Sequence, residues 1–281
     1  MILSFGSGAP GVSGAALTLG VPSLIALLAY AVCAAWRGER ASGVQRIVML
    51  VAWLAQGGAI AIDTVGLGTT DQGARFGFAP ALSATSWLVI AVYGIESRFV
   101  PMLNVQRALA LLGMLTVALA WAFPAEIRSA SGSQWAPLHW VLGIASYGLF
   151  GAAVLHAAML GRVDRQLRGR GGSAPSRTPG VPLLRLERLT FRFVAAGFAV
   201  LSAALLLGAW FASPWRWDHK TVFSILGWLV FAALLSGRRV FGWRGPVATR
   251  WLYAGAALLL LAYVGSRFVL EVLLRRLPAN G

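Results

Sequence analysis

The chain has 281 residues, of which 58% are hydrophobic and only 12% charged, and its mean hydropathy is +0.73. Soluble domains carry about a quarter charged residues, so the composition excludes an ordinary soluble fold and points to an integral membrane protein. The net charge of +15, from 24 Lys+Arg against 9 Asp+Glu, would suit a nucleic-acid binder only if the cations shared one solvated face. Here the arginines fall between apolar runs, so no nucleic-acid partner is expected and the lipid bilayer is.

A membrane helix needs roughly 20 mostly apolar residues. Eight such runs follow in chain order, at 16–36, 47–67, 79–96, 104–123, 137–160, 190–211, 220–236 and 250–272. Backbone groups in lipid must be satisfied internally, and no alternating strand pattern occurs, so these are helices. The predicted fold is all-α and polytopic, a single transmembrane domain over 1–281. No basic residue precedes the first run, which argues against a removable signal peptide. The lone cysteine, Cys33, excludes an intramolecular disulfide, and no C-x-x-C-H motif is present.

Arginine placement sets the orientation. The connections after spans 1, 3, 5 and 7 hold 17 of the 24 cations, and those after spans 2, 4 and 6 hold 4. The heavily basic side is cytoplasmic, which puts both termini outward. The longest connection, 162–189, carries seven arginines and a Gly/Ser/Pro-rich middle, "RGGSAPSRTPG", that reads as a flexible linker. It serves as a positive-inside anchor, or as a docking surface for a cytoplasmic partner or anionic lipid.

Polar residues inside or beside the spans are few. Gln56 and Asp63 lie seven apart on one face of span 2, and Arg267 and Glu271 lie four apart on span 8, the spacing of a same-face ion pair. The chain has three histidines. His139 begins span 5 at its outer end. His156, 17 residues on, is about 25 Å deeper, near the cytoplasmic end, and no partner for it is legible. His219 lies in "PWRWDHKTVFS", 214–224, where Trp215, Arg216, Trp217, Asp218, His219 and Lys220, the one lysine, crowd the outer end of span 7. Two imidazoles at one level suit the two axial positions of a haem iron, or are polar groups ending two helices. Trp135, Trp140, Trp210, Trp215 and Trp217 fall at the same level, as an aromatic belt or as walls for a planar ring.

These motifs resemble the transmembrane cytochrome c assembly family of the CcsA, CcmC and CcmF type. Its tryptophan-rich outward segment reads W-G-x-x-W-x-W-D-P-K-E-T, and in "WRWDHKT" the residues Trp215, Trp217, Asp218, Lys220 and Thr221 match its second half. "LGAWFA" resembles the approach to that segment, and "SILGWLVFAALLSGRRVFGWRG" resembles the following span with its G-W-x-G turn. "SQWAPLHWVLGIASYGLF" resembles the segment holding the first outward histidine of CcsA proteins, which lands on His139. Residues 131–281 form the core of the resemblance, with the tryptophan-rich segment at 210–221, and 1–130 match only as variable spans. The first W-G is missing, His219 stands where proline is usual, and no second histidine follows. Eight spans and the W-D-H-K-T spelling are similar to the YpjD and HemX-like branch.

The resemblance implies a multi-pass inner-membrane protein that binds or presents haem at its outward face and is not itself an enzyme. His139 and His219 would be the axial ligands, with Trp215, Trp217 and Asp218 forming a platform. Lys220 or Arg216 would pair with a propionate. The implied partners are other cytochrome c maturation proteins and apocytochrome c. The alternative is a HemX-like regulator or scaffold that acts on a cytoplasmic haem-synthesis enzyme through the arginine-rich loop, without binding haem.

Overall fold

The computed structural model of the protein describes residues 11–36, 43–65, 75–97, 103–123, 126–127, 135–169, 183–211 and 217–265. The helices are α1 (Gly11–Ala35), α2 (Gly43–Val65), α3 (Phe78–Glu96), α4 (Leu103–Ala122), α5 (Ala136–Gly169), α6 (Leu183–Phe211), α7 (His219–Phe241) and α8 (Gly245–Leu260). A π-helical turn, Leu261–Gly265, continues α8. Two short strands, β1 (Arg75–Phe76) and β2 (Glu126–Ile127), pair antiparallel, with Arg75 opposite Ile127 and Phe76 opposite Glu126.

Over the described residues, each of the eight predicted spans overlaps a helix. Among the described residues, seven helices are long and apolar enough to cross a membrane, and an eighth apolar stretch, Gly20–Ala35, is shorter. Side chains such as Leu28, Ile47, Leu54 and Leu115 face outward from the protein. Exposed apolar surface on that scale suits lipid rather than water. Helix α5 has 34 residues, about 51 Å at 1.5 Å each, and so outruns a hydrocarbon core of about 30 Å.

The chain gathers into two compact units, and the division passes through α3: residues 1–83 with 103–130, and residues 84–102 with 131–281. In the first unit α1 packs on α2 and α4. The Tyr30 ring lies on Gly113 of α4, where an added Cβ would sit 2.7 Å from the ring. Its hydroxyl donates to Gln56 Oε1 at 2.6 Å, and Gln56 Nε2 donates to the Ser83 carbonyl at 3.1 Å and to Ser83 Oγ at 3.0 Å. Gln56 is fully buried. Every polar atom of its amide is used to join three helices, which is what a polar residue must do in hydrocarbon. Asp63, also buried, lines a crevice near the end of α2 with Ser23, Ser83 and Trp121. An Arg107 N–H donates to the Trp36 carbonyl and ties the start of α4 to the end of α1.

In the second unit the core is Phe150 stacked on Phe231, with centroids 3.8 Å apart, surrounded by Val194, Leu201, Leu234, Leu252 and Leu259. Glycines let the helices approach: a Cβ on Gly255 would meet the Phe231 ring at 2.7 Å, and one on Gly197 the Phe150 ring at 3.1 Å. The Trp228 indole N–H donates to Ser202 Oγ at 2.8 Å. The Tyr147 hydroxyl donates to the Leu259 carbonyl at 2.5 Å, just before the ladder of α8 changes register into the π-helical turn.

The G-W-x-G turn between α7 and α8 has a backbone reason. Gly242 and Gly245 adopt φ of +66° and +56°, the left-handed region that glycine tolerates best. The Trp243 N–H returns to the Gly237 carbonyl at 3.3 Å, and its indole covers Gly237 and stacks on Trp251 with centroids 5.3 Å apart. Arg267 and Glu271 lie outside the described residues, as does the Gly/Ser/Pro-rich middle of the predicted linker, 170–180, whereas its flanks 162–169 and 183–189 belong to α5 and α6.

Candidate functional site

His139 occupies the first turn of α5, half-buried against α6. Its ring fits because position 208 is glycine: a Cβ there would lie 2.8 Å from the ring Cε1 and 3.2 Å from Nδ1. Nδ1 is 2.8 Å from the Ala204 carbonyl oxygen. A carbonyl only accepts, so Nδ1 carries the proton, and in the neutral ring Nε2 bears the lone pair. A backbone carbonyl holding one ring nitrogen while the other is presented as a base is the usual support of a metal-binding histidine.

The start of α7 belongs to the same unit. Asp218 is its N-cap, with Oδ1 accepting from the Thr221 backbone N–H at 2.8 Å and from its hydroxyl at 2.7 Å. This explains the D-x-x-T part of the tryptophan-rich segment locally: an aspartate cap satisfies an otherwise orphaned helix N–H. Burial pushes the Asp218 carboxyl up, but the two Thr221 hydrogen bonds and the Lys220 charge outweigh it and hold the group below its usual range. The cap fixes where the neighbouring residues project. Trp217, on one side, is 72% exposed, and His219, on the other, is also exposed.

Lys220 ties this helix start to its surroundings. Its ammonium lies 5.9 Å from the Tyr263 ring centroid, in the π-helical turn, and its charge acts on both Asp218 and His139. The structure therefore brings His139, Lys220, Asp218 and Tyr263 into one electrostatic neighbourhood. Among the described residues, no hydrogen bond or ring contact links the His139 and His219 rings. Trp215 and Arg216 lie outside the described residues. Trp135 and Trp210 are both exposed, Trp210 to 85%, in keeping with an interfacial belt.

His156 departs from expectation. It has a partner that the sequence did not reveal, Glu96 of α3, whose Oε2 is 2.6 Å from Nε2. Nδ1 bonds the Ala152 carbonyl at 2.7 Å, and the Phe193 ring packs alongside. Both ring nitrogens are engaged and the side chain is fully buried, so His156 locks α3 to α5 and presents no base to a ligand. Sixty residues separate the pair, too far for any helical spacing rule to link them. Gly208 and Ala204 were equally hidden, although "LGAWFA" contains the glycine.

Among the described residues, seven long apolar helices and an eighth shorter stretch define a polytopic, essentially all-α membrane protein. The profile of the Cytochrome C assembly protein family matches residues 75–274, and the chain belongs to that family, in the branch that includes YpjD. It is 30% identical to the inner membrane protein YpjD of Escherichia coli over 270 residues, covering 89% of this chain and 98% of the relative. It is 24% identical to the cytochrome c biogenesis protein CcsA of Prochlorococcus marinus over 223 residues, covering 67% and 71% of the two chains. A CcsA of Synechococcus is 31% identical over 101 residues, 32% of this chain and 29% of the relative. No solved structure matches the chain. Membership supports a role in cytochrome c biogenesis, and the protein is a multi-pass protein of the bacterial inner membrane.

Proposed function

We propose that the protein handles haem at the outward rim of its second unit as a non-enzymatic accessory in cytochrome c assembly. The observation that carries the reading is His139: its ring rests on Gly208 and its Nδ1–H is fixed on the Ala204 carbonyl, so Nε2 bears the lone pair. These residues fit one axial position of a haem, and His219 is the candidate for the other. Haem bound there supplies an iron that takes imidazole ligands. The chain's own residues would hold it: Trp217, with Trp215, offers an indole face to the macrocycle, and Lys220, or Arg216, offers a cation to a propionate. Asp218 acts as a positioning residue, because its carboxylate is spent on capping α7. Partners on this reading are other maturation proteins and apocytochrome c, with bond formation left to them.

Purification from haem-replete cells in detergent tests the reading. A Soret band that His139→Ala and His219→Ala each diminish supports the pair. A colourless protein that haem does not reconstitute sinks it. The regulator reading predicts instead that deleting 168–180 changes cellular haem content, an effect the outward-rim reading does not predict.

A further inference from the structure

A second feature lies at the opposite end of the same unit, where α5, α6, α7 and α8 leave a narrow groove. It is shallow and mostly open, with about 20 Å³ of enclosed space within about 320 Å³ that includes its open mouth, and its walls include Ala157, Leu160, Phe191, Leu234 and Leu252. The two threonines in its lining, Thr190 and Thr249, donate to carbonyls of their own helices, Leu186 at 2.9 Å and Gly245 at 3.0 Å. The slot is thus apolar toward an occupant. At its rim Glu187 is shared by Arg238 at 3.3 Å and Arg244 at 3.6 Å, and Arg238 is pinned 3.4 Å over the Phe191 ring.

The surrounding charge is one-sided. Arg188, Arg192, Arg244 and Arg250 are exposed, and each is adjacent in sequence to a groove residue. Between residues 183 and 265 the sequence has two acidic residues, Glu187 and Asp218, and Asp218 is at the far end of α7. Beside these cations stand the exposed apolar side chains Val240, Phe241 and Val247, at 72%, 73% and 45%. An apolar slot open at a membrane-helix end, rimmed by excess guanidinium and flanked by exposed apolar groups, matches a molecule with an acyl chain and an anionic head. An acidic peptide would satisfy the arginines but not the slot.

We propose that this groove and the α7–α8 turn bind an anionic phospholipid, with an acyl chain along the groove and the phosphate near Arg244 and Arg250. On the orientation predicted by the arginine distribution, this end meets the cytoplasmic leaflet, where anionic lipids attract juxtamembrane cations. The site is independent of any haem chemistry at the other rim.

Native mass spectrometry of the full-length protein, with added phosphatidylglycerol or phosphatidylcholine of matched chains, tests it. Phosphatidylglycerol should be retained in preference to phosphatidylcholine. Arg244→Gln with Arg250→Gln should weaken that retention roughly 30-fold, at roughly 1 kcal/mol per arginine. Arg162→Gln with Arg165→Gln, on the same end but not among the lining residues or their sequence neighbours, should leave it nearly unchanged. Thr249→Trp fills the mouth while keeping every arginine, and should also displace the lipid, with circular dichroism confirming the fold of each variant. Equal retention of the two lipids, an equal loss in the control pair, or stabilisation by inorganic phosphate matching that of phosphatidylglycerol overturns the proposal.

Discussion

Replacing Gly208 with alanine tests how His139 is held. The new Cβ would stand 2.8 Å from the His139 Cε1 and 3.2 Å from Nδ1, closer than such contacts allow. The imidazole is the end of a side chain, so it is the part that yields, and its 2.8 Å bond to the Ala204 carbonyl is lost. Losing one hydrogen bond costs about 1 kcal/mol net and crowding about 1–3 kcal/mol. Alanine regains up to about 1 kcal/mol of helix propensity over glycine. The net destabilisation is therefore small, about 1–3 kcal/mol, while the tautomer and aim of the ring are both disturbed. With ¹⁵N-labelled histidine, NMR should show the Nδ1-protonated tautomer of His139 in the wild type and a mixture in Gly208→Ala. Haem titration should show about 10- to 100-fold weaker binding, the usual cost of removing such a support. A wild-type tautomer and wild-type affinity in this variant would refute the reasoning.

Other sites give independent outcomes. Asp218→Ala should destabilise the start of α7 by about 1 kcal/mol and Asp218→Asn much less, read as Trp217 fluorescence during denaturation. Because the Asp218 carboxyl is held below its usual range, its contribution is complete above about pH 4 and fades as pH falls through the depressed value. The same fluorescence should therefore respond to acid in the wild type and not in Asp218→Asn. Glu96→Gln should cost about 2–3 kcal/mol, less than the roughly 3–5 of a fully buried pair, because Glu96 is 27% exposed. Combined with His156→Gln in a double-mutant cycle, it should show strong coupling, whereas additive losses would deny the pair. Gly237→Ala puts a Cβ 2.4 Å from the Trp243 ring and should lower stability by about 1–3 kcal/mol, measured by thermal unfolding.

The spans were legible because hydropathy over about 20 residues is a long, averaged signal, and helix ends then shifted by the few residues that capping decides. Helix α7 begins one residue before the predicted 220 because Asp218 caps it, and runs to Phe241 because Gly242 supplies the left-handed stop. The G-W-x-G turn was readable as a motif, and its structure gives the reason. Partners were not readable. Gln56 read as a polar residue sharing one face of span 2 with Asp63, yet Tyr30 and Ser83 satisfy it from 26 and 27 residues away. Glu96 and Gly208 act on histidines 60 and 69 residues distant, and such contacts are set by helix packing, which one sequence does not display. The place of His139 at the start of a span was legible in the sequence, and its tautomer became so only with the Ala204 carbonyl in place.

Titration of the purified apoprotein with haem, followed in the Soret region, tests the central claim most directly. The account predicts saturable one-to-one binding with a spectrum of imidazole-ligated iron, abolished or strongly weakened by His139→Ala while the helical content stays at the wild-type level. Binding that is unsaturable, or that survives His139→Ala undiminished, would contradict it.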